Sequence, residues 1–231
     1  YLNSDCDYEK WSQYLIRTLN GLNAGACGAD VGCGNGYFTR ALHKSGKDVC
    51  GVDISPEMLT KARELASSEG VRAEFLLGDI TKLKLIKKVD FIVAVNDCLN
   101  YVSPEKLAAA FSRVRANLKK GGAFVFDVSS EYKLKNVLAD NLFAEDLDEI
   151  TYLWFNKFDG EKVVMDITVF TSAGGGLFKR QDERHIQYVH RTEDVKAALA
   201  SCGFEVLRIE GHMGEELKDD SLRINFICRA V

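Results

Sequence analysis

The stretch Ala29-Asp30-Val31-Gly32-Cys33-Gly34-Asn35-Gly36 decides the fold, because it joins a short apolar run to a helical pattern. The run from Ala26 to Val31 predicts a strand, and the apolar spacing from Phe38 to about Gly46 predicts a helix. Glycines at such a corner permit a tight turn and let the backbone approach a ligand at the positive end of a helix. A turn with a purely structural role would also use glycines, so the stretch by itself predicts only strand, turn and helix.

Working outward, strands and helices alternate on both sides of this corner. Further strands are predicted at Val49 to Ile54, Ala73 to Leu77, Val89 to Val95 and Ala123 to Val128. Ser55-Pro56-Glu57 and Ser103-Pro104-Glu105 have the residue types of helix N-termini. The helices that they open should end near Ser68 and at the Gly121-Gly122 stop after Leu118, and a leading helix should cover Tyr8 to Leu22. This alternation specifies an α/β fold with a doubly wound, mostly parallel sheet.

The pattern changes after Ser130. Three strands are predicted at Ile150 to Phe158, Val163 to Thr171 and Leu177 to His190, joined by Asp159-Gly160 and Gly174-Gly175-Gly176, which are hairpin turn signals. A helix at Thr192 to Ser201 and strands at Phe204 to Gly211 and Leu222 to Arg229 then complete a seven-stranded sheet. We interpret residues 1–231 as a single domain, with residues 131–190 as an inserted antiparallel β-meander that covers the substrate.

Composition and charge narrow the class of partner. The formal net charge is −4, so a nucleic acid would have to be held by a local basic patch against an unfavourable field. The densest basic cluster, Lys82 to Lys88, reads as a solvated loop, and no nucleic-acid partner is expected. The seven cysteines include no close Cys-x-x-Cys pair, which argues against a metal site and against a disulfide framework.

The start of the chain is polar and no long apolar run occurs, so we expect neither export nor a membrane span. Together with the unpaired cysteines, this predicts a cytoplasmic protein. The chain begins at Tyr1 and not at a Met, which is consistent with a protein that has further residues before Tyr1.

The glycine spacing differs from that of a dinucleotide site. Gly32 and Gly34 match the first two glycines of that fingerprint, but the third comes one residue early at Gly36, and Tyr37 stands where a pyrophosphate-binding loop needs glycine or alanine. The departure favours a nucleoside ligand that has no pyrophosphate.

Polar side chains end three successive strands of the predicted sheet. Asp53 follows the second strand, about 20 residues after Gly32, where an acid can accept hydrogen bonds from both ribose hydroxyls. Asp79 ends the third strand, where it could accept from an adenine amine while Ile80 packs on the ring, and Asn96-Asp97 ends the fourth. Each residue alone could be a turn former or a helix cap. Because ligands of such sheets bind outside the carboxyl ends of the strands, the set together predicts one binding site.

With these residues the sequence resembles the class I, Rossmann-like S-adenosylmethionine-dependent methyltransferases, over the whole strand order from Ala26 to Arg229. The resemblance rests on four stretches, which are Asp30 to Gly36, Val52-Asp53-Ile54-Ser55-Pro56-Glu57-Met58-Leu59, Gly78-Asp79-Ile80 and Leu118-Lys119-Lys120-Gly121-Gly122. Asn96-Asp97-Cys98-Leu99-Asn100-Tyr101 and the opening Asp7-Tyr8-Glu9-Lys10-Trp11 look like a small bacterial-type group of that family whose substrates are mostly unassigned.

The resemblance implies S-adenosylmethionine as the cofactor and S-adenosylhomocysteine as the product. It implies that Gly32 and Gly34 approach the methionine moiety, that Asp53 holds the ribose, and that Asp79 with Ile80 holds the adenine. Asp30 and Ile54 are also expected among the cofactor-binding residues. Asn96 would lie near the methionine amino group. Trp11 and Tyr8 could close the cofactor pocket or could equally belong to the core of the leading helix.

Methyl transfer from a sulfonium is an in-line displacement, so alignment of the acceptor is the main requirement, and a base is needed only where the acceptor must lose a proton. The candidates for that base are Asp97, Tyr101 and His185, although His185 lies in a charged run typical of a surface strand. We expect a small-molecule acceptor with a nitrogen or oxygen nucleophile and no metal. Two alternatives remain open from the sequence, an NAD(P)-dependent oxidoreductase on a related sheet and a cofactor-binding protein without transfer activity.

Overall fold

A computed structural model describes residues 7–231. Their α-helices are α1 (Tyr8–Gly21), α2 (Tyr37–Lys44), α3 (Pro56–Ser68), α4 (Pro104–Asn117) and α5 (Thr192–Ser201). Their strands are β1 (Cys27–Val31), β2 (Asp48–Asp53), β3 (Phe75–Leu77), β4 (Val89–Ala94), β5 (Leu118–Ser129), β6 (Leu142–Asp146), β7 (Ile150–Phe158), β8 (Lys162–Gly174), β9 (Leu177–Tyr188), β10 (Phe204–Glu210) and β11 (Arg223–Ala230). Tyr1 and Cys6, which entered the sequence arguments on the chain start and the cysteines, lie outside the described residues.

The main sheet has seven strands in the order β10-β11-β5-β4-β1-β2-β3. All neighbours pair parallel except β11, which runs antiparallel to both β5 and β10. The predicted doubly wound, mostly parallel sheet is therefore confirmed. Because β1, β2, β3 and β4 run in one direction, the residues that follow them meet at the same edge of the sheet, where the sequence placed its polar side chains.

The start of β5 differs from the prediction. The sequence predicted a helix through Leu118 to the Gly121-Gly122 stop, whereas α4 ends at Asn117 and β5 begins at Leu118. The Asn117 side chain gives the reason, because its Oδ1 accepts from Leu85 N at 2.7 Å and its Nδ2 donates to Leu83 O at 3.0 Å. These bonds hold the last helical residue against the loop before β4, and the chain leaves the helix directly into the sheet.

The inserted segment forms a separate four-stranded antiparallel sheet in the order β6-β7-β8-β9. The three predicted strands are present, but β6 was missed, as was a π-helix at Lys133–Leu138 that precedes it. Leu134 and Leu138 of this helix form a small core with Val163 and Met165 of β8. The meander therefore has an inner face, which packs against this helix, and an outer face that is turned away from it.

In residues 7–231, no helix combines the length and the apolar character that a membrane crossing requires.

Candidate functional site

Two adjoining cavities open at the carboxyl-end edge of the main sheet. The first, of about 550 Å³, is lined by Tyr8, Tyr37 and Tyr152, and we call it the tyrosine cavity. The second, of about 570 Å³, is lined by Asp53 and Asp79, and we call it the carboxylate cavity. Both are also lined by four residues that form a shared wall: Gly32, Gly34, Met58 and Asn96. The edge of the sheet is thus one continuous cleft with two chambers.

The glycine corner brings the backbone of β1 to the shared wall. Gly32 has φ +74°, and a Cβ placed there would lie 2.4 Å from Cys98 Sγ, so a side chain has no room. At Gly34 (φ +51°) a Cβ would meet only Met58, at 3.4 Å. The corner therefore exposes bare backbone to the cleft, as a ligand that approaches the turn closely requires.

Asp53 ties the tip of β2 to the glycine corner. Its Oδ2 accepts from Gly34 N at 2.7 Å, and its Oδ1 accepts from Ser55 N at 2.9 Å. Each carboxylate oxygen can accept more than one hydrogen bond. The side chain is therefore held in place by two backbone groups, and it lines the cavity with acceptor capacity that remains for a ligand.

Asp79 is positioned at the tip of β3 in a similar way. Its Oδ1 accepts from Thr81 N and Thr81 Oγ1, both at 2.8 Å, while its Oδ2 accepts no hydrogen bond from residues 7–231. Ile54 and Ile80 line the same cavity, and Ile54 is 70% exposed. An exposed Ile beside a carboxylate with a vacant acceptor suits a flat heteroaromatic ring that carries an amine.

The tip of β4 is held by a buried carboxylate that the sequence analysis did not identify. Asn96 (φ +62°) and Asp97 (φ +68°) are both in the left-handed region, which non-glycine residues seldom adopt. The Asp127 carboxylate accepts from Asn96 N at 2.7 Å and from Asp97 N at 3.2 Å. Asn96 Nδ2 in turn donates to Tyr8 Oη at 3.3 Å. The turn thereby presents the Asn96 side chain at the shared wall.

Arg223 pairs with both acids of this turn. Its guanidinium donates to Asp97 at 2.7 Å and also to Asp127, which is 0% exposed. The same guanidinium lies 4.7 Å from the centre of the Trp11 ring, a cation–π arrangement. Lys133, in the π-helix of the insertion, has its Nζ 4.0 Å from Asp97 Oδ2. The network joins β4, β5, β11, α1 and the insertion at one point.

This network decides the role of Asp97 among the predicted bases. Burial by itself would raise the pKa of Asp97, but Arg223 and Lys133 outweigh burial and lower the pKa to about 2. Its Oδ1 also accepts from Ser129 Oγ at 2.7 Å. A carboxylate that is so strongly stabilised in its ionised form is a poor proton acceptor, and Asp97 lines neither cavity. The structure therefore assigns Asp97 a structural position.

Tyr101 and His185 are brought together at the carboxylate cavity. Their rings meet edge to face with centres 6.0 Å apart. His185 Nε2 lies 3.0 Å from Glu183 Oε2, an arrangement that can orient the imidazole. Burial raises the pKa of Tyr101. These two predicted residues share a wall formed by the segment after β4 and the last strand of the meander.

Trp11 and Asp30 lie behind the cleft. Trp11 is 0% exposed and packs on Phe38, His212 and Arg223, so of its two predicted positions the core position is the one observed. Tyr8, one turn earlier on α1, lines the tyrosine cavity instead. Asp30 is 1% exposed and accepts from Thr39 Oγ1 at 2.6 Å. Neither Trp11 nor Asp30 lines a described cavity, so any effect on a ligand has to pass through the residues in front of them.

The sequence analysis missed Asp127 and Arg223. One signal was present, because Asp127 interrupts the apolar run of β5, and a buried acid requires a partner. The partner could not be identified, since Arg223 lies on the last strand and the two meet only when β11 inserts beside β5.

Comparisons with known proteins agree with this architecture. A family model described as a methyltransferase domain matches residues 29–122. A protein of Geobacillus sp. (strain WCH70) that is named as a methyltransferase is 31% identical over 236 residues, which cover 99% of this chain and 95% of the relative. The crystal structure of a S-adenosylmethionine-dependent methyltransferase from Clostridium acetobutylicum ATCC 824 matches with a TM-score of 0.93 at 32% identity, over 99% of this chain and 94% of the other. The sugar N-methyltransferase KedS8 from Streptoalloteichus sp ATCC 53650 shares the fold with a TM-score of 0.84 at 18% identity, over 100% and 90% of the two chains.

The buried carboxyl group of Asp30 should make the free energy of unfolding depend on pH. Burial raises its pKa to about 6 from 3.8, so the folded state holds the proton more tightly than the unfolded state does. The contribution of Asp30 to stability is therefore greatest below about pH 4 and is lost as the pH rises through about 6. Asp30→Asn should gain up to about 3 kcal/mol in free energy of unfolding, relative to the native chain, between pH 4 and pH 7.

Urea denaturation of both proteins across this pH range measures the difference. Thr39→Val is a second test, because loss of its hydrogen bond to the carboxylate should raise the pKa of Asp30 further, so that the decline in stability continues to higher pH. A constant difference between the native chain and Asp30→Asn at all pH values would contradict the assignment.

Arg223 generates a second prediction. Arg223→Met leaves Asp97 and Asp127 without their counter-charge, and breaking such a buried pair typically costs about 3–5 kcal/mol. The free energy of unfolding should fall by that amount in urea denaturation. Arg208→Met is the matched control, because Arg208 is an exposed arginine that pairs with Glu210 at 3.6 Å, and its loss should cost less than about 1 kcal/mol. If both variants lost the same free energy of unfolding, the buried network would contribute no more to stability than an exposed ion pair.

Proposed function

Because this chain belongs to the class I S-adenosylmethionine-dependent methyltransferases, we propose that it transfers a methyl group from S-adenosylmethionine to a nitrogen or oxygen of a small-molecule acceptor held beneath the meander. The observation that carries the proposal is the two-chambered cleft, whose shared wall consists of the glycine corner, Met58 and Asn96. Such a cleft has room for a cofactor and an acceptor that meet at the wall. The oxidoreductase alternative and the alternative without transfer activity are both replaced by the family assignment.

The residues present fit the cofactor. We propose that the adenosine occupies the carboxylate cavity, with Asp53 at the ribose hydroxyls, Asp79 Oδ2 at the adenine amine, and Ile54 and Ile80 against the ring. The vacant Oδ2 and the exposed Ile54 described above support this orientation. The methionine part would then cross the shared wall, where Gly32 and Gly34 offer bare backbone and Asn96 offers a side-chain amide.

When bound, the cofactor would supply a methyl group carried on a positively charged sulfonium. The sulfur becomes a neutral thioether when the methyl group is transferred. The task of the protein is alignment, and holding reactants in line can contribute roughly 7–11 kcal/mol to lowering the barrier. The shared wall is suited to this task because Asp53 and Asp127 fix two of its backbone segments by hydrogen bonds to Gly34 and Asn96. Rigid positioning of both segments favours a constant distance between acceptor and methyl group.

The meander covers the cleft, which supports its proposed role as the substrate-covering part of a single domain. Ile150 and Tyr152 of β7 and Val169 of β8 line the tyrosine cavity, and His185 and Tyr188 of β9 line the carboxylate cavity. The tyrosine cavity is lined by no Asp, Glu, Lys, Arg or His among residues 7–231. A compact acceptor with apolar surface and few charges fits it best. KedS8, which shares the fold, is a sugar N-methyltransferase, and an amine on a small molecule is consistent with this proposal.

His185 is the proposed proton acceptor for a nucleophile that must be deprotonated, which requires the nucleophilic atom to reach over the shared wall to the carboxylate cavity that His185 lines. Tyr101 lines the same cavity, and its phenol keeps its proton because its pKa is raised, so we propose that it donates a hydrogen bond to the acceptor. Glu183 Oε2 lies 3.0 Å from the imidazole and can orient its ring. Asp97 is not proposed as a base, because its carboxylate pairs with Arg223.

The proposed compartment is the cytoplasm, and the described cysteines support it. Cys27, Cys33, Cys50, Cys98, Cys202 and Cys228 are all free thiols, a state that is typical of a reducing environment.

Calorimetry with S-adenosylmethionine tests the cofactor site. Asp53→Asn and Asp79→Asn should each raise the dissociation constant about 10- to 100-fold, because each replaces a charged acceptor at a hydroxyl or amine donor. Asp48→Asn is the matched control, since Asp48 is exposed at the opposite end of β2, and its dissociation constant should stay within about twofold of the native value. Unchanged binding in both site variants would overturn the placement of the adenosine.

Transfer of labelled methyl groups to a panel of small amines and phenols tests the reaction. With an acceptor that the native chain methylates, His185→Gln should lower kcat about 100-fold, the usual effect of losing a general base, while cofactor affinity changes less than about threefold. Tyr101→Phe should lower kcat by a smaller factor, with Tyr132→Phe, at a tyrosine that lines neither cavity, as its control. A fall in kcat of less than about threefold for His185→Gln would remove His185 from proton transfer.

A further inference from the structure

Strand β9 forms an open edge of the meander. It runs from Leu177 to Tyr188, pairs with β8 on one side, and has no described strand on its other side. Residues 177–184 are all exposed. A long exposed edge presents a row of unpaired backbone N–H and C=O groups, and natural proteins usually cover or interrupt such edges. This one contains no proline, so its backbone is able to pair with another strand.

The charges along this edge are arranged symmetrically about one residue. The sequence is Lys179-Arg180-Gln181-Asp182-Glu183, with two basic residues before Gln181 and two acidic residues after it. Within the chain, Arg180 pairs with Asp182 at 2.9 Å. If a second copy of the strand lies antiparallel with the two-fold axis at Gln181, Arg180 also faces Asp182 of the second copy, which extends this pair into a network across the interface, and Lys179 faces its Glu183. Each contact occurs twice, because symmetric interfaces repeat every pair.

Neighbouring registers lack this complementarity. Side chains that lie opposite each other in an antiparallel pair are on the same face of the sheet, and successive side chains of one strand alternate between the two faces. When the two strands are identical, this requires the two-fold axis to pass through a residue and not between two residues. An axis at Arg180 would place Arg180 against its own copy, and an axis at Asp182 would place Asp182 against its own copy. Like charges directly opposite each other are destabilising. Among these three registers the charges favour the one that is centred on Gln181.

Exposed apolar side chains lie at the end of the same strand. Leu177 is 70% exposed and Phe178 is 55% exposed. In the register centred on Gln181, they would lie against His185 and Arg184 of the second copy and would be covered there. Covering large apolar side chains is favourable by roughly 25 cal/mol per Å² of area removed from water. The apolar contacts and the charges therefore favour the same arrangement.

We propose that the chain forms a symmetric dimer in which β9 pairs antiparallel with β9 of a second copy, centred on Gln181, so that the two meanders form one continuous sheet. The arrangement completes the open edge with backbone hydrogen bonds and places the tip of one meander beside His185 of the other copy. Because His185 lines the carboxylate cavity, the second copy then lies next to the entrance of the site.

The register is tested by a cysteine pair. In Gln181→Cys the two new thiols lie opposite each other, with Cβ atoms about 4.5–5.5 Å apart, close to the separation that a disulfide needs. Under mild oxidation this variant should become a covalent dimer on a non-reducing gel. Lys179→Cys is the matched control, because its copy lies four residues away along the strand, at about 13 Å. The native chain, which has no cysteine in residues 131–190, sets the background.

The charges are tested by sedimentation velocity on the full chain. The native protein should sediment as a dimer. In Arg180→Asp, the new aspartate of each copy faces Asp182 of the other copy, so the interface gains two pairs of like charges. The dimer dissociation constant should therefore rise at least about tenfold. Arg180→Asp combined with Asp182→Arg restores opposite charges in this register and should return the dissociation constant to near the native value. Retained calorimetric binding of S-adenosylmethionine in all variants shows that the fold is intact.

Three results would overturn the proposal. A native chain that sediments as a monomer shows that the edge is not a dimer interface, and any other protein found there would be a different partner. A dimer that is insensitive to Arg180→Asp uses another surface. Cross-linking of Lys179→Cys in preference to Gln181→Cys requires a different register.

Discussion

The tip of β4 depends on one buried carboxylate. Asp127 binds the backbone N–H groups of two successive residues that are both in the left-handed region, a conformation that usually persists only where the surroundings impose it. A buried carboxylate is itself costly unless it is paired, and Arg223 supplies that pair from the last strand of the chain. The position of Asn96 in the wall shared by the two cavities therefore depends on the insertion of β11 beside β5, which couples this part of the site to completion of the sheet.

Predictions from the sequence succeeded where the signal is local. The glycine corner, the Ser-Pro-Glu helix starts at Ser55 and Ser103, and the apolar run of β4 are read from a few adjacent residues, and the corresponding elements are present. The prediction failed at the end of α4, where a distant contact decides. Asn117 ends α4 because its side chain bonds Leu85 in the loop before β4, a cause that no window of ten residues contains. β6 was missed for a different reason: it pairs locally with β7, but its residues are almost all exposed and carry no alternating apolar pattern.

The site residues divide in the same way. Asp53, Asp79 and Asn96 could be placed at one edge because strand direction alone brings them there. Asp97 follows Asn96 in the chain, yet its side chain turns into the core because its partners are Arg223 and Ser129. Trp11 and Tyr8 have the same ambiguity on a helix, and packing on Phe38 and Arg223 settles it for Trp11. Sequence position therefore fixes which edge a residue is near, whereas burial and pairing decide whether the side chain faces the ligand.

The meander connects the cleft to the outer surface through a single strand. The last residues of β9, His185 and Tyr188, line the carboxylate cavity, while residues 177–184 of the same strand are exposed. A strand that is paired on one side only is more mobile at its free end, because fewer hydrogen bonds oppose its displacement. Pairing of the open edge would restrain the whole strand, including the imidazole that Glu183 orients. In the proposed dimer, association and alignment of the acceptor would therefore be linked by the stiffness of β9, with no need for a conformational change in the main sheet.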